Sequence, residues 1–306
     1  MDYRKILEGV VSGEARAVGR AISLVESNHP EGVEILAALD SRRVDNCLVV
    51  GITGPPGAGK STLTGALVAE LRRRQKRVGV IGVDPSSPLT GGAVLGDRIR
   101  MMDHSLDPMV FVRSMATRGQ LGGLCASAGA VIRLMAGAGC EVVLVETVGV
   151  GQSEMDVATL ADCTLLVLAP GFGDDIQAMK AGVLEVADFF VINKADLAGG
   201  EALAMQMEQV FRTDHGMAEV SRVMRTTANA GEGVAQLLDG VELYGERIAA
   251  NGEKLKRRKA SMEMESLELA VEQLRPHLLG AIRSSSEGEP RRLAAGLVQE
   301  VLRAME

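Results

Sequence analysis

Gly54-Pro55-Pro56-Gly57-Ala58-Gly59-Lys60-Ser61 is the stretch around which the rest of the chain is organised. At this spacing Gly54, Gly57 and Gly59 let the backbone curl until successive N–H groups converge on one point, which suits an anion. Lys60 then reaches the β- and γ-phosphates, and Ser61 offers a hydroxyl to Mg²⁺ at the N-terminus of the following helix. Pro56, Gly57, Ala58, Gly59 and Thr62 complete the expected nucleotide cradle. The flanks agree, since Cys47 to Ile52 is a short apolar run suited to a buried strand and Ser61 to Arg74 reads as a helix. A dinucleotide-binding turn fits less well, because Thr62 stands where its third glycine would be. The pattern predicts a nucleoside triphosphate.

Outward from this loop, strand-like runs alternate with helical stretches. The predicted strands are 47–52, Arg77 to Val83, Met109 to Val112, Val142 to Val145, Thr164 to Leu168, Phe189 to Ile192 and Arg222 to Arg225. Near-continuous Val/Ile/Leu runs separated by helices predict an α/β fold of the P-loop NTPase type, a mostly parallel sheet covered by helices on both faces. Ligands of such sheets bind beyond the carboxyl ends of the strands. Residues 1–45 read as a helical N-terminal extension, with apolar positions from Ile6 to Val25 on one helix that stops at Asn28-His29-Pro30, then a short helix from Val33 to Leu39. His29 reads as a solvated turn residue. Residues 46–240 form the nucleotide domain and 241–306 a helical C-terminal region. There the stripe from Leu267 to Ile282 is expected to break at Pro276, and a second stripe runs from Leu293 to Met305. Lys254-Leu255-Lys256-Arg257-Arg258-Lys259 reads as a solvated charged face, with an acidic partner surface as the alternative.

A net charge of −7 over 306 residues argues against a polyanionic partner, and with 2% aromatic residues there is little material for stacking bases. Nucleic acid is therefore not expected. Cys47, Cys125, Cys140 and Cys163 are widely spaced and read as buried small hydrophobes in a reducing compartment. The first residues lack a signal-peptide core and no apolar run has membrane-spanning length, so a cytoplasmic protein without a membrane partner is expected.

Asn193-Lys194-Ala195-Asp196, directly after a predicted strand, is an N-K-x-D pattern. Its aspartate can accept hydrogen bonds from both N1–H and the 2-amino group of guanine, which adenine cannot supply, and its asparagine can bond to N7. GTP is expected rather than ATP. Thr226-Thr227-Ala228-Asn229, after the last predicted strand, resembles the loop whose backbone N–H contacts the guanine oxygen. Asp84 and Glu146, at the ends of predicted strands, are placed to hold Mg²⁺ directly or through water, and Asp97 is a third carboxylate candidate. Gly149 is placed to give its N–H to the γ-phosphate. Gln152 is a candidate to orient water, although a structural role fits it better. Lys60, Asp97, Glu146 and Gly149 are thus the catalytic candidates, hydrolysis resting on positioning and electrostatics.

Longer strings are more specific: Val83-Asp84-Pro85-Ser86-Ser87-Pro88-Leu89-Thr90-Gly91-Gly92, Leu95-Gly96-Asp97-Arg98-Ile99-Arg100-Met101, Arg113-Ser114-Met115-Ala116-Thr117-Arg118-Gly119 and Glu146-Thr147-Val148-Gly149-Val150-Gly151-Gln152-Ser153-Glu154. Together they closely resemble the MeaB/ArgK family of P-loop GTPases, over roughly residues 45–235. The resemblance implies a homodimeric GTPase that binds GTP, GDP and Mg²⁺. It also implies a chaperone of an adenosylcobalamin-dependent acyl-CoA mutase, typically methylmalonyl-CoA mutase, in company with its adenosyltransferase; the adenosylcobalamin belongs to the client. It assigns Lys60 and Ser61 to the phosphate loop, Asp84, Asp97 and Glu146 to the switches, and Asn193, Lys194 and Asp196 to the base. Gly171 to Lys180 resembles the family's additional switch loop, with Asp174, Asp175 and Lys180 as coupling residues. Asp174-Asp175 replaces an expected Asp-Glu pair.

Three rival functions share parts of this pattern. A small-molecule kinase would also use a phosphate loop, but guanine selectivity and the lack of a recognisable acceptor pocket oppose it. A nickel or cobalt metallochaperone GTPase would carry a Cys pair or a His-rich tract, and four scattered cysteines with four isolated histidines supply neither. A binding module that senses GTP without useful turnover is separated from an enzyme by partner-stimulated hydrolysis.

Overall fold

The computed structural model describes residues 3–84, 107–116, 123–147, 153–171, 184–215, 222–284 and 289–304. Seven strands form one sheet: β1 (Leu48–Thr53), β2 (Val78–Asp84), β3 (Val110–Ala116), β4 (Val142–Thr147), β5 (Cys163–Leu168), β6 (Phe189–Asn193) and β7 (Val223–Thr226). Their order is β3-β2-β4-β1-β5-β6-β7, and every neighbouring pair is parallel. All seven predicted strands are present with small shifts at their ends. The helices are α1 (Tyr3–Val11), α2 (Ala15–Glu26), α3 (Pro30–Ala37), α4 (Ser41–Asn46), α5 (Lys60–Arg73) and α6 (Gly123–Gly137). They continue as α7 (Ser153–Leu160), α8 (Gly200–His215), α9 (Val234–Ala250), α10 (Glu253–Ser284) and α11 (Pro290–Ala304).

β4, β5 and β6 are buried at every residue because helices cover both faces, which is why they read as unbroken apolar runs rather than alternating ones. On one face Leu63, Leu67 and Leu71 of α5 and Leu237 and Val241 of α9 pack on Val50, Ile52 and Leu144. On the other, α6 and the N-terminal helices pack on Val49, Val143 and Val145. The strand order reverses direction at β1, with β4-β2-β3 on one side and β5-β6-β7 on the other. A crevice opens at the carboxyl end of such a strand, and the glycine-rich loop leaves β1 there.

The N-terminal helices differ from the expected single long helix. The apolar stripe runs through, but the chain breaks between α1 and α2 at Gly13, whose φ is +75°. That conformation favours glycine, and a Cβ there would lie 1.8 Å from the Arg77 guanidinium, which would have to swing away. Ile6, Val10, Val18, Ile22 and Ile35 all join the core on the α6 face. α3 starts earlier than expected, at Pro30, because His29 caps it: Nδ1 accepts from Glu31 N–H at 3.3 Å.

Two C-terminal expectations are corrected. α10 continues through Pro276 rather than breaking there; the surrounding residues are solvent-exposed, so water can serve the carbonyl that the missing N–H leaves unpaired. The basic run at 254–259 is not one solvated face. Arg258 clasps the buried carboxylate of Asp162 at 2.9 and 2.7 Å, and Arg257 that of Asp188 at 2.8 and 3.0 Å. Asp162 also accepts Val49 N–H, and Asp188 accepts Thr164 N–H and the Tyr244 hydroxyl. Lys254 donates to the carbonyls of Asp45 and Cys47. Helical periodicity explains the division, because 254, 257 and 258 share one face of α10 while Leu255, Lys256 and Lys259 are exposed on the others. The root of α10 is thereby fastened to the amino ends of β5 and β6.

Candidate nucleotide site

The loop between β1 and α5 has the curl its glycines predict. φ is +137° at Gly54, +81° at Gly57 and +92° at Gly59. A Cβ on Gly54 would lie 2.1 Å from the Val167 carbonyl oxygen, so the loop passes too close to β5 for any side chain. Lys60 is buried and its ammonium donates to the carbonyls of Gly54 at 2.9 Å and Pro55 at 3.0 Å. The cation is thus held in the mouth of the loop, where phosphate oxygens would accept its hydrogen bonds. Pro56, Gly57 and Thr62 are exposed around that mouth, and Ala58 is buried beneath it.

The N-K-x-D segment, expected to read the base, is built against the same loop. Asn193, the last residue of β6, is buried and uses both ends of its amide within the protein. Nδ2 donates to the carbonyls of Ala58 at 3.0 Å and, more weakly, Gly59 at 3.4 Å. Oδ1 accepts from Ala228 N–H at 3.1 Å and from the Thr226 hydroxyl at 3.2 Å. Asn193 therefore joins the phosphate loop to the Thr227-Ala228-Asn229 loop, a task beyond the base contact expected from its motif. Lys194, at φ +54°, reaches back over the loop to the Gly57 carbonyl at 2.8 Å. Asp196 is exposed and its carboxylate makes no hydrogen bond among the described residues, as an acceptor kept for a ligand would. Thr227 pairs with Glu232 in a short antiparallel bridge that closes the loop after β7. Thr226, the first residue of the stretch that the sequence marks, supports Asn193 with its hydroxyl.

Ser61 and Glu146 meet across the crevice, the Ser61 hydroxyl donating to Glu146 Oε1 at 2.5 Å, with Glu146 buried. A hydroxyl and a carboxylate beside the phosphate cradle are the hard oxygen donors that Mg²⁺ takes, with phosphate and water completing its shell. The donor set therefore fits Mg²⁺. Among the described residues no three His, Cys, Asp or Glu side chains cluster into a metal site of their own. Asp84 ends β2, though its side chain lies outside the described residues. Asp97, Gly149, Gln152, Asp174, Asp175 and Lys180 also lie outside them.

Among the described residues the thiols stand apart from this site. Cys47, Cys140 and Cys163 are buried and unbridged. Burial pushes the Cys47 thiol up to about 12, and raises those of Cys140 and Cys163 as well. Among the described residues no helix is long and apolar enough to cross a membrane.

Known proteins place this architecture. A Pyrococcus abyssi protein whose name proposes a GTPase is 45% identical over 267 residues, covering 85% of this chain and 82% of its own. The mitochondrial methylmalonic aciduria type A homolog of Mus musculus is 33% identical over 291 residues, covering 89% and 70%. Among solved structures, one described as a LAO/AO transport system kinase superposes with a TM-score of 0.71 at 26% identity, covering 98% of this chain and 97% of that one. A nickel complex of HypB from Helicobacter pylori, at 15% identity and a TM-score of 0.50, covers 70% and 95% and shares the fold alone. The family model described as methylmalonyl-CoA mutase-associated GTPase MeaB matches residues 18–283. With its phosphate loop and N-K-x-D segment joined in one site, this P-loop GTPase belongs to the MeaB family.

Proposed function

We propose that this protein couples GTP hydrolysis to the loading, protection or reactivation of an adenosylcobalamin-dependent acyl-CoA mutase, methylmalonyl-CoA mutase being the first candidate. The observation that carries the proposal is the Asn193 junction, which makes phosphate and base recognition one unit in a chain matched by the mutase-associated family. Cytoplasmic action, on the mutase and in company with its adenosyltransferase, accords with this proposal.

In the proposed mechanism Lys60 moves from its carbonyl partners to the β- and γ-phosphates, where a charge-assisted contact stabilises developing negative charge. Ser61 and Glu146, with Asp84 and Asp97, would hold Mg²⁺, which supplies neutralisation of phosphate charge when bound. Asp196 reads the guanine N1–H and 2-amino group, and the Thr227-Ala228-Asn229 loop presents backbone N–H to the guanine oxygen. Gly149 senses the γ-phosphate, while Asp174, Asp175 and Lys180 transmit nucleotide state to the client.

Homodimerisation through 241–306 belongs to the same proposal. α10 and α11 leave Leu267 60%, Val271 48% and Val298 58% exposed. An amphipathic stripe of this kind needs cover, and a second copy supplies it.

A small-molecule kinase is the second reading, favoured by the structural likeness to the protein described as a LAO/AO transport system kinase. Cofactor transfer tests the first: absorbance of adenosylcobalamin entering apo-mutase, followed with this protein and GTP or a non-hydrolysable analogue. Loading that differs between the two nucleotides is expected. Loading indifferent to nucleotide and to this protein would overturn the proposal.

A further inference from the structure

β4 ends in two consecutive polar residues whose side chains leave opposite faces of the sheet, as the period of a strand requires. Glu146 points to the α5 side and meets Ser61, the last residue of the phosphate loop. Thr147 points to the other side, where its hydroxyl donates to Thr53 Oγ1 at 3.2 Å. Thr53 is the last residue of β1 and directly precedes Gly54, the first residue of the loop. Two adjacent residues of one strand therefore hold the two ends of the phosphate loop. The register brings this about, because Ile52 pairs with Glu146 and so sets Thr53 beside Thr147.

The pair stands out chemically. Thr53 and Thr147 are 0% and 1% exposed, and their columns on this face are otherwise Val49 and Gly51 on β1, Val143 and Val145 on β4. Valine has the same shape as threonine and carries no hydroxyl to desolvate, so stability alone would favour valine at both positions. Among the described residues neither hydroxyl makes another hydrogen bond: Thr147 donates, Thr53 accepts, and the pair has no other use there.

We infer that Thr53 and Thr147 are a positioning pair for GTP hydrolysis, holding the carboxyl end of β4 against the start of the phosphate loop so that Glu146 faces Ser61. The inference rests on the proposed role of Ser61 and Glu146 in holding Mg²⁺. For the metal to enter, the direct Ser61–Glu146 bond must open. The threonine bond on the opposite face has no such duty and fixes the strand while Glu146 changes partner.

The test is a set of variants measured for melting temperature, kcat and the Mg²⁺ concentration giving half-maximal GTP turnover. Thr53→Val with Thr147→Val removes both hydroxyls and leaves neither stranded, so it is expected to melt at or above the wild-type temperature. It is also expected to need more Mg²⁺ and to turn over more slowly, the ratio of kcat to the Mg²⁺ requirement falling roughly ten-fold, the upper worth of one buried neutral hydrogen bond. Thr53→Ser with Thr147→Ser, which keeps both hydroxyls, is expected to restore both values. A double valine variant within two-fold of wild type in Mg²⁺ requirement and kcat would overturn the inference, whatever its melting temperature. Wild-type turnover independent of Mg²⁺ would instead defeat the metal reading, and kcat alone would then decide whether the pair positions anything.

Discussion

Gly59 lies against the side-chain amide of Asn193, so close that a Cβ built on Gly59 would stand 2.3 Å from Asn193 Nδ2. The contact is possible only because residue 59 is glycine, and the same residue holds φ at +92°, a conformation that side chains rarely adopt. Gly59→Ala would push Asn193 off both loops at once. Its GDP affinity is expected to fall about ten-fold or more because the displaced Asn193 no longer joins the two loops, and the αL strain of ~1–2 kcal/mol lowers the melting temperature by several degrees as well. Titration with a fluorescent GDP analogue measures this; affinity within two-fold of wild type would show that the junction does not shape the site.

Asp196→Asn exchanges one carboxylate acceptor for an amide donor at the proposed guanine contact. Preference is expected to move from GTP toward xanthosine triphosphate, whose base presents an acceptor where guanine has a donor. A competition assay with unchanged GTP preference would remove Asp196 from base reading.

Arg258→Ala would leave the Asp162 carboxylate, 1% exposed, without its bidentate partner. Breaking a buried pair from one side costs about 3–5 kcal/mol, and Lys254 at 3.9 Å is too distant to replace the fork geometry. Urea unfolding should show a loss of that order. A loss below about 1 kcal/mol would mean that α10 is held mainly by apolar packing.

Alkaline stability follows from the thiols. Burial raises the Cys47 pKa from 9.0 to about 12, so between those values the folded protein keeps a proton that the unfolded chain releases. The contribution is therefore intact below pH 9.0 and lost as pH rises toward 12. The urea midpoint is expected to fall across this window, and to fall less steeply in Cys47→Ala. Identical slopes for the two proteins would contradict the assignment.

Much of this molecule is legible in its sequence because its strands are buried on both faces. Runs such as Val142 to Val145 and Phe189 to Ile192 have one reading in either direction, and the phosphate loop and N-K-x-D segment are local patterns. What the sequence hides is pairing at a distance. Asp162 and Asp188 each follow an alanine and open an apolar strand, yet nothing local shows that Arg257 and Arg258 return to meet them. The Gly13 break is concealed because the apolar stripe keeps its period across it. Asn193 is legible as a candidate base reader, but its hold on Ala58 and Ala228 depends on β6 lying beside β7 and two strands from β1, which carries the phosphate loop, and only the assembled sheet provides that.

Dependence of GTP turnover on the mutase is the most direct measurement of all. γ-Labelled GTP and Mg²⁺ are incubated with this protein alone, with purified methylmalonyl-CoA mutase, and with the mutase and Lys60→Ala in place of the wild type. Label is expected on inorganic phosphate only, several-fold faster when the mutase is present, and none above background in Lys60→Ala. A rate that the mutase leaves unchanged, or label on any other acceptor, would contradict the role proposed here.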